Sequence, residues 1–228
     1  MKRVLIACEE SQSVAKEFRK LGFEAYSCDL LPCSGGHPEW HFQEDVFEVI
    51  KREPKFDLMV AHPPCTFLAV SGARWLYNPD GTPNEERIKN QEEGLNFVRQ
   101  LMNVDIEHIA IENPISVISS HIRKPDQIIQ PWQFGDKAQK STCLWLKNLP
   151  LLKHTDIVEK GEFIEFVSAK GVKKKQPKWY FDALKDAKTP AERRTLRSKT
   201  FQGIAEAIAM QWGNYITSCE VSFFDKQN

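Results

Sequence analysis

The stretch LIACEESQSVAKEFRKLGFEAYSCD, residues 5–29, holds a strand, a helix and a second strand in immediate succession. The first strand is the short apolar run over 2–7. Residues 11–21 then carry apolar side chains at helical spacing, and Gly22 ends that helix. The second strand covers 24–28. This succession with short links predicts two neighbouring parallel strands of an α/β sheet.

The same alternation continues through the first half of the chain. An extended piece with a turn of helix covers 42–50, a strand 56–61, a helix 85–102 and a strand 107–112. The sequence therefore predicts an α/β fold with a mostly parallel sheet and helices on both of its faces.

The second half is less regular. We expect strands at 127–133 and 142–146, half of a hairpin at 162–168, and helices at 189–197 and 200–215. The last helix has an apolar stripe that should pack on the core, formed by Ile204, Ala207, Ile208, Gln211 and Trp212. We expect residues 1–150 and 198–216 to form one core, residues 151–197 a small basic lobe, and residues 217–228 a C-terminal tail.

Composition is that of one soluble globular domain, with 228 residues, 41% hydrophobic and 27% charged. No apolar run approaches the roughly 18 residues that a membrane helix needs, and MKRVLIACEES turns acidic before a signal-peptide core forms. The cysteines are scattered rather than arranged as a disulfide framework; they are Cys8, Cys28, Cys33, Cys65, Cys143 and Cys219. We therefore expect a cytoplasmic protein with no membrane partner and with reduced thiols.

Charge is distributed unevenly along the chain, although the formal net charge is zero. Residues 137–199 contain 16 Lys and Arg against 7 Asp and Glu, a net charge of +9 that the rest of the chain balances. Aromatic residues lie among these basic runs, at Trp179, Tyr180 and Phe181. Such a segment suits a polyanion with bases to stack on, and it is equally typical of a solvated lysine-rich face.

Polar and reactive side chains follow the predicted strands at their carboxyl ends. In a parallel α/β sheet, ligands bind at this edge. The residues that fall there are 8–11, Asp29, Asp45, 62–65, Glu112 and Asn113.

Cys65 follows two prolines that end a strand, because Pro63 and Pro64 lack the N–H that a central strand must donate. A cysteine is more often a buried core residue than a nucleophile. At this position, however, the side chain should lie on a loop at the ligand edge. Attack would need a thiolate, and therefore a helix N-terminus or a cation nearby.

Glu112 ends an apolar strand and is followed by Asn113 and Pro114. Partial desolvation there would raise the pKa of Glu112 toward a value suited to donating a proton. The other interpretation, which can hold together with this one, is a helix start with Asn113 as N-cap and Pro114 in the first helical position.

Two of these pieces resemble motifs of the DNA cytosine-5 methyltransferases. AHPPCTFLAVSG (61–72) resembles their proline-cysteine loop, and IAIENP (109–114) resembles their Glu-Asn-Val strand end. The other pieces follow in the family's order. Residues 5–29 resemble its first strand, cofactor loop, helix and acidic second-strand end, QEDV (43–46) its Gly-Asp-Ile, and FGDKAQKSTCLWL (134–146) its Pro-Gln-Lys-Arg-Glu-Arg segment.

This resemblance covers roughly residues 3–146 and 198–216 and is sharpest to small, phage-type members. It implies a methyltransferase-like, Rossmann-type sheet, in which the terminal helix completes the cofactor pocket. It also implies an enzyme of DNA modification, with protection of phage DNA from restriction in the host cytoplasm as its role.

The chemistry that the resemblance implies begins with addition of the Cys65 thiolate to C6 of cytosine, while Glu112 hydrogen-bonds or protonates N3. A methyl group then passes from S-adenosylmethionine to C5, and loss of the C5 proton expels the cysteine. Asn113 would orient the loop or the base. The cytosine must be flipped out of a duplex or lie in single-stranded DNA.

The resemblance also assigns binding residues. Asp29 would hold the cofactor ribose and Asp45 the adenine amine. The full cofactor set is Ala7, Cys8, Glu9, Glu10, Ser11, Asp29, Leu30, Asp45, Val46 and Pro63. The set for DNA is Ser71, Arg74, Gln139, Lys140, Lys173, Lys174, Lys175 and Arg197.

The chain departs from the family in its cofactor loop, where CEES (8–11) replaces a glycine-rich sequence. Two glutamates facing a carboxylate would repel it, so either the loop is displaced or the cofactor binds differently. In the QKST segment the two family arginines fall on Ser141 and Cys143, so the arginine contact to the base is either lost or replaced by Lys140 or Arg74. The reduced target-recognition region predicts short sequence specificity.

Two further motifs have alternative interpretations. Cys28, Cys33, His37 and His41 have spacings that could bind zinc, although the spacing is not a standard one and the loop should border the adenosine pocket. His62 could help to ionise Cys65 or could merely cap a strand.

Two rival functions remain at this stage. One is an enzyme that adds the same thiolate to a pyrimidine but uses a different one-carbon donor, which the CEES loop motivates. The other is a catalytically inactive DNA-binding protein of the same fold.

Overall fold

The structure is a computed structural model that describes residues 1–168, 171–189, 192, 198 and 200–224. Arg197 and most of the helix predicted over 189–197 lie outside the described residues.

A central sheet and flanking helices make up the main body. The strands of this sheet are β1 (Arg3–Ala7), β2 (Glu24–Cys28), β3 (His41–Phe42), β4 (Leu58–Ala61), β5 (His108–Pro114), β6 (Gln127–Ile129) and β7 (Thr142–Lys147). The helices around it are α1 (Ser13–Lys20), α2 (Val46–Arg52), α3 (Glu85–Met102) and α4 (Ile118–His121). The basic segment adds β8 (Phe163–Val167), β9 (Lys173–Pro177) and α5 (Lys178–Asp186), and the chain returns to the sheet as α6 (Gln202–Phe224).

The seven strands lie in the order β3-β2-β1-β4-β5-β7-β6. Strands β1 to β5 are parallel to one another, while β7 is antiparallel to both β5 and β6. Since the chain winds outward in both directions from β1 and β4, this is a doubly wound sheet with its switch point between those two strands. The mostly parallel, methyltransferase-like α/β fold expected from the sequence is confirmed.

Both faces of the sheet are buried, as a central parallel sheet requires. One face packs on α1 and α6, and the other packs on α3. The predicted stripe on α6 is confirmed, since Ile204, Ala207, Ile208 and Trp212 are all buried. The helix continues to Phe224, beyond its predicted end at residue 215. Among the described helices none is long and apolar enough to span a membrane.

The strand predicted over 127–133 is wrong in its second half. Strand β6 ends at Ile129, and Pro131 begins a short 3-10 helix. Proline cannot donate to a strand ladder and is well placed at a helix start, which explains the early end.

The basic segment contains the predicted hairpin, formed by β8 and β9. Helix α5 follows it directly and is anchored to the main body through Trp179. The Trp179 indole Nε1 donates a hydrogen bond to the Gln139 carbonyl over 3.0 Å, and its ring packs edge-on against Phe201. The hairpin is therefore attached beside residues 139–140, which lie just before β7.

Candidate functional site

The predicted site residues gather where β1, β2, β4 and β5 end. The Glu9 N–H bonds the Cys28 carbonyl over 3.1 Å, and the His62 N–H bonds the Ala7 carbonyl over 2.9 Å. These bonds continue the strand pairing for one residue past each strand. Loops that follow separate strands are thus held side by side at one edge of the sheet.

The loop that carries Cys65 is tied to the end of β5. Asn113, which is 1% exposed, donates a hydrogen bond from Nδ2 to the Pro63 carbonyl over 2.8 Å. Further along, Ala69 pairs with Ser116 in an antiparallel bridge. The two prolines and these contacts fix the backbone on both sides of Cys65.

The alternative interpretation of Asn113 as a helix N-cap is wrong. Strand β5 runs through Pro114 and pairs with β7 up to Thr142. The next helix, α4, begins only at Ile118. Asn113 instead fastens the Cys65 loop.

Helix α3 supports the same loop from its outer side. Arg87 donates to the Thr66 carbonyl and Gln91 donates to the Phe67 carbonyl, each over 3.0 Å. Gly94 lies against Leu68, where an added Cβ would come within 3.2 Å of the leucine side chain. The loop is therefore held by a rigid helix as well as by β5.

Cys65 is partly exposed, whereas Cys28 and Cys143 are buried. Burial raises the pKa of Cys28 to about 12 and that of Cys143 to about 11. The pKa of Cys8 is raised further, by desolvation of the thiol and by the negative charges of Asp29 and Asp45. These three thiols stay protonated at neutral pH and are poor nucleophiles.

Glu112 forms a close ion pair with His62, which sequence analysis did not foresee. His62 Nδ1 lies 3.1 Å from Glu112 Oε2, and the two side chains are only 12% and 13% exposed. The pairing follows from sheet register. Ala61 is the partner of Ile111 in the parallel β4–β5 ladder, so the next residue of each strand comes to lie beside the other.

The pKa of Glu112 is lowered, which corrects the sequence-based expectation. Burial raises it, but the hydrogen bond from His62 and the positive charges of Lys140 and His62 outweigh burial. Lys140 comes close because β7 is antiparallel to β5, which places the residues before Thr142 at the carboxyl edge. Glu112 is therefore a carboxylate at neutral pH.

Glu9 caps the start of α1 from inside the protein. Its Oε1 accepts from the Val14 N–H over 2.7 Å and its Oε2 from the Ala15 N–H over 3.2 Å. Burial raises the pKa of Glu9, partly offset by the charge of His62 and by these two N–H groups. The carboxylate thus occupies the place where a helix N-terminus would otherwise bind a ligand anion.

The rest of the CEES loop is packed against residues 33–37. Glu10 accepts a hydrogen bond from the Ser34 hydroxyl, and the Gln12 amide bonds the His37 backbone in both directions, over 2.8 and 3.1 Å. Cys8 and Gln12 adopt left-handed φ angles of 58° and 57°. The side chains of this loop form a compact turn in place of a glycine-rich cofactor loop.

Asp29 and Asp45 lie where β2 and β3 end. Asp29 Oδ1 accepts from the Leu31 N–H over 2.9 Å, and Asp45 Oδ1 caps α2 by accepting from the Phe47 N–H over 2.8 Å. Leu30 is highly exposed beside Asp29, while Val46 is buried. Both carboxylates act on Cys8, so they lie around one point at the sheet edge.

These residues fit S-adenosylmethionine in part. Asp29, Asp45 and the exposed Leu30 offer two carboxylates and an apolar surface to a nucleoside. Glu9 and Glu10 favour a cation such as a sulfonium or an ammonium group. A ligand carboxylate does not fit at the start of α1, because the Val14 and Ala15 N–H groups already bond Glu9.

The four candidate zinc ligands do not form a cluster. Among the residues that the structure describes, no three His, Cys, Asp or Glu side chains converge as a metal site. His41 bonds the Ser27 hydroxyl and the Leu31 carbonyl with its two ring nitrogens, over 2.8 and 2.9 Å. His37 stacks on Trp40 at 3.8 Å between ring centroids.

Ser71 and Arg74 lie in an exposed 3-10 helix that follows the Cys65 loop. The Arg74 guanidinium lies 4.5 Å from the ring centroid of Trp75, which is 55% exposed. Tyr77, two residues further, is 61% exposed. Trp75 and Tyr77 were not among the residues predicted to bind nucleic acid. The signal for them is ARWLY (73–77), in which two large aromatic residues occur without helical periodicity.

The remaining residues predicted to bind nucleic acid divide into two groups. Lys140 lies close enough to Glu112 to lower its pKa, and Gln139 precedes it in the chain. Lys173, Lys174 and Lys175 are exposed on β9 of the hairpin. Two surface cavities, of about 350 and 290 Å³, contain no predicted site residue; they lie beside Phe23 and beside Trp145.

Comparisons with known proteins leave the family open. No protein-family model matches the chain, and no curated protein matches it. Among solved structures, it is similar to one from E. coli that is provisionally described as a DNA modification methyltransferase encoded within a prophage. The identity is 14% and the TM-score 0.45, over 70% of this chain and 52% of that one. The chain thus spans about half the length of that neighbour.

Proposed function

We propose that this protein methylates C5 of cytosine in DNA, with Cys65 as the nucleophile and Glu112 as the partner of N3. The observation that carries the proposal is the hydrogen bond from Asn113 to Pro63. It joins the loop that presents the thiol to the strand end that presents the carboxylate. A thiolate and a carboxylate at one sheet edge are the groups that activation of a pyrimidine at C6 needs.

The proposed reaction begins with attack of the Cys65 thiolate on C6. A C6–S bond forms, and the electron pair displaced from the ring is taken up at N3, which gains a proton on the Glu112 side. C5 thereby becomes an enamine carbon and a nucleophile. After C5 is modified it loses its proton, the C6–S bond breaks, and the thiolate and the N3 proton return to the protein.

The proposed donor is S-adenosylmethionine, which supplies an electrophilic methyl group when bound. Asp29 and Asp45 would hold its adenosine part and the acidic CEES loop its cationic part. Its carboxylate would have to lie away from the start of α1, which Glu9 occupies.

The experiment that tests this function uses random-sequence DNA, both duplex and single-stranded, with methyl-labelled S-adenosylmethionine. After digestion, mass spectrometry of the nucleosides should find the label in 5-methylcytosine. Label in N4-methylcytosine or N6-methyladenine instead would refute the proposal, since neither product needs a thiolate adduct.

A second candidate is favoured by the position of Glu9. An enzyme with a different one-carbon donor, one without a carboxylate at the start of α1, would use Cys65 and Glu112 in the same way. Enzyme-dependent exchange of the cytosine C5 hydrogen with solvent, without methyl incorporation from S-adenosylmethionine, would support it. Absence of both signals with intact DNA binding would support the inactive DNA-binding protein.

The hairpin is proposed to contact the DNA backbone. Replacing Lys173, Lys174 and Lys175 with alanine should weaken DNA binding and reduce its salt dependence. The slope of log K against log salt should become shallower by roughly 0.9 for each phosphate that the variant no longer neutralises. Fluorescence anisotropy across a salt series measures this.

The matched control replaces three exposed lysines of the main body that lie away from the carboxyl edge, Lys51, Lys55 and Lys124. It removes the same charge and should leave the slope of log K against log salt nearly unchanged. Equal losses in both triple variants would show that only net charge matters and that the hairpin is not the binding surface.

A further inference from the structure

The His62–Glu112 pair poses a chemical question for the proposed function, on which this inference rests. An ionised Glu112 cannot hydrogen-bond the lone pair of N3, because both are acceptors. Yet addition of the thiolate at C6 leaves a charge on N3 that must be met by a proton. Because the pKa of Glu112 is lowered, the carboxyl group does not hold that proton in the free protein.

We propose that His62 is the proton reservoir of the site and passes its Nδ1 proton through Glu112 to N3 of the cytosine. His62 does not touch the base itself and is therefore a positioning and relay residue rather than a catalytic one. When the cysteine is expelled, the proton returns from N3 to Glu112 and then to His62.

Geometry supports this route. Glu112 Oε2 lies 3.1 Å from His62 Nδ1. The other ring nitrogen, Nε2, is buried and has no hydrogen-bond partner within the described part of the chain. The imidazole thus has one direction in which to hand on a proton, and it leads to the carboxylate at the sheet edge.

The charged groups around the His62–Glu112 pair change the pKa of the imidazole. Burial lowers the pKa of His62, but the hydrogen bond to Glu112 and the charges of Glu112 and Glu9 outweigh burial, and Lys140 opposes them. The net pKa of His62 is raised. These groups face the imidazole from the ends of β5 and β1 and from the segment before β7, and together they favour its protonated form.

Atoms and electrons balance in this scheme. One proton moves from His62 to N3 as the C6–S bond forms, and the same proton returns as that bond breaks. The proton lost from C5 is a separate one and leaves to solvent. No oxidant or reductant is required.

The test uses exchange of the cytosine C5 hydrogen with deuterated solvent, which needs the thiolate adduct but no methyl donor. Exchange into random-sequence DNA is measured by mass spectrometry across pH for the wild type and for His62→Asn. Asparagine can still donate to Glu112, but it cannot release a proton. We expect the exchange rate of the variant to be about 10²-fold lower at neutral pH. The alkaline limb of its pH–rate profile should move to lower pH, because only Glu112 can then carry the proton.

The control is His108→Asn. His108 is buried on the same strand, and its Nδ1 contacts the Asn148 carbonyl over 2.8 Å, at the opposite end of β5. It should leave the alkaline limb unmoved. A purely structural role for His62 would lower exchange at every pH without moving that limb, and such a result overturns the inference.

A second measurement covers the case in which His62→Asn does not fold. NMR titration of the imidazole signals should show that the pKa of His62 falls in Glu112→Gln, and an unchanged pKa overturns the relay. Failure of the proposed function is recognised separately, because the wild type would then show no exchange at all. Exchange in the wild type with an unmoved alkaline limb in His62→Asn overturns the relay alone.

Discussion

The Cys65→Ser variant is expected to form no covalent complex with DNA and to lose C5 modification by about 10³-fold or more. A serine hydroxyl keeps its proton at neutral pH, whereas a thiol with a pKa near 8.5 is partly ionised. Three other described thiols cannot replace it, because their surroundings raise the pKa of Cys8, Cys28 and Cys143.

Covalent capture is measured with DNA that contains 5-fluorocytosine, in the presence of S-adenosylmethionine, and read as a shifted band on a denaturing gel. Cys33→Ser is the matched control, since Cys33 is also partly exposed but lies in the loop after β2. It should retain the shifted band. A band that survives in Cys65→Ser would contradict the assignment of the nucleophile.

Local sequence signals account for most of the fold. Helix α3 has the predicted bounds because Asn84 caps it, accepting from the Arg87 N–H over 3.0 Å. Strand β2 has the predicted bounds as well, between the glycine that ends α1 and the loop after Asp29. Such boundaries depend on neighbours in sequence, which is why periodicity and capping residues reveal them.

The candidate site was only partly predictable, because its contacts depend on register. His62 and Glu112 are 50 residues apart, and each ends an apolar strand. The β4–β5 register, with Ala61 opposite Ile111, decides that they meet. A shift of one residue in either strand would place other side chains together. Because both strands are buried on both faces, they lack the alternation of polar and apolar residues that would fix the register in the sequence.

The direction of the Glu9 side chain could not be predicted from the sequence either. Two consecutive glutamates in a loop suggest two exposed acids. The left-handed backbone of Cys8 turns the chain so that Glu9 points inward to α1, while Glu10 remains on the side of Ser34. Non-glycine residues seldom adopt that conformation, so propensity alone does not predict it.

Glu112→Gln is expected to lower C5 exchange and C5 modification by about 10² to 10⁴-fold. Glutamine has the same shape but can neither take a proton from His62 nor give one to N3. The thiol remains, so 5-fluorocytosine capture should become slow rather than vanish. Glu107→Gln is the matched control, because Glu107 lies just before the start of the same strand and is largely exposed. If the C5 exchange rate of Glu112→Gln is within a few-fold of the wild-type rate, Glu112 does not take part in the reaction.

Glu112→Gln should also change the free energy of unfolding in a way that depends on pH. The sign of this change follows from the pKa shifts of His62 and Glu112. The raised pKa of His62 contributes stability that is present below its unfolded value of about 6.5 and is lost as pH rises through the folded pKa. The lowered pKa of Glu112 contributes stability that is present above about 4.3 and is lost as pH falls through the folded pKa. Glu112→Gln should therefore be most destabilised, relative to the wild type, between roughly pH 4.3 and 6.5, and the difference should shrink as pH rises further. Denaturant unfolding across this range measures it, and a pH-independent difference would mean that Glu112 and His62 are not an ion pair in solution.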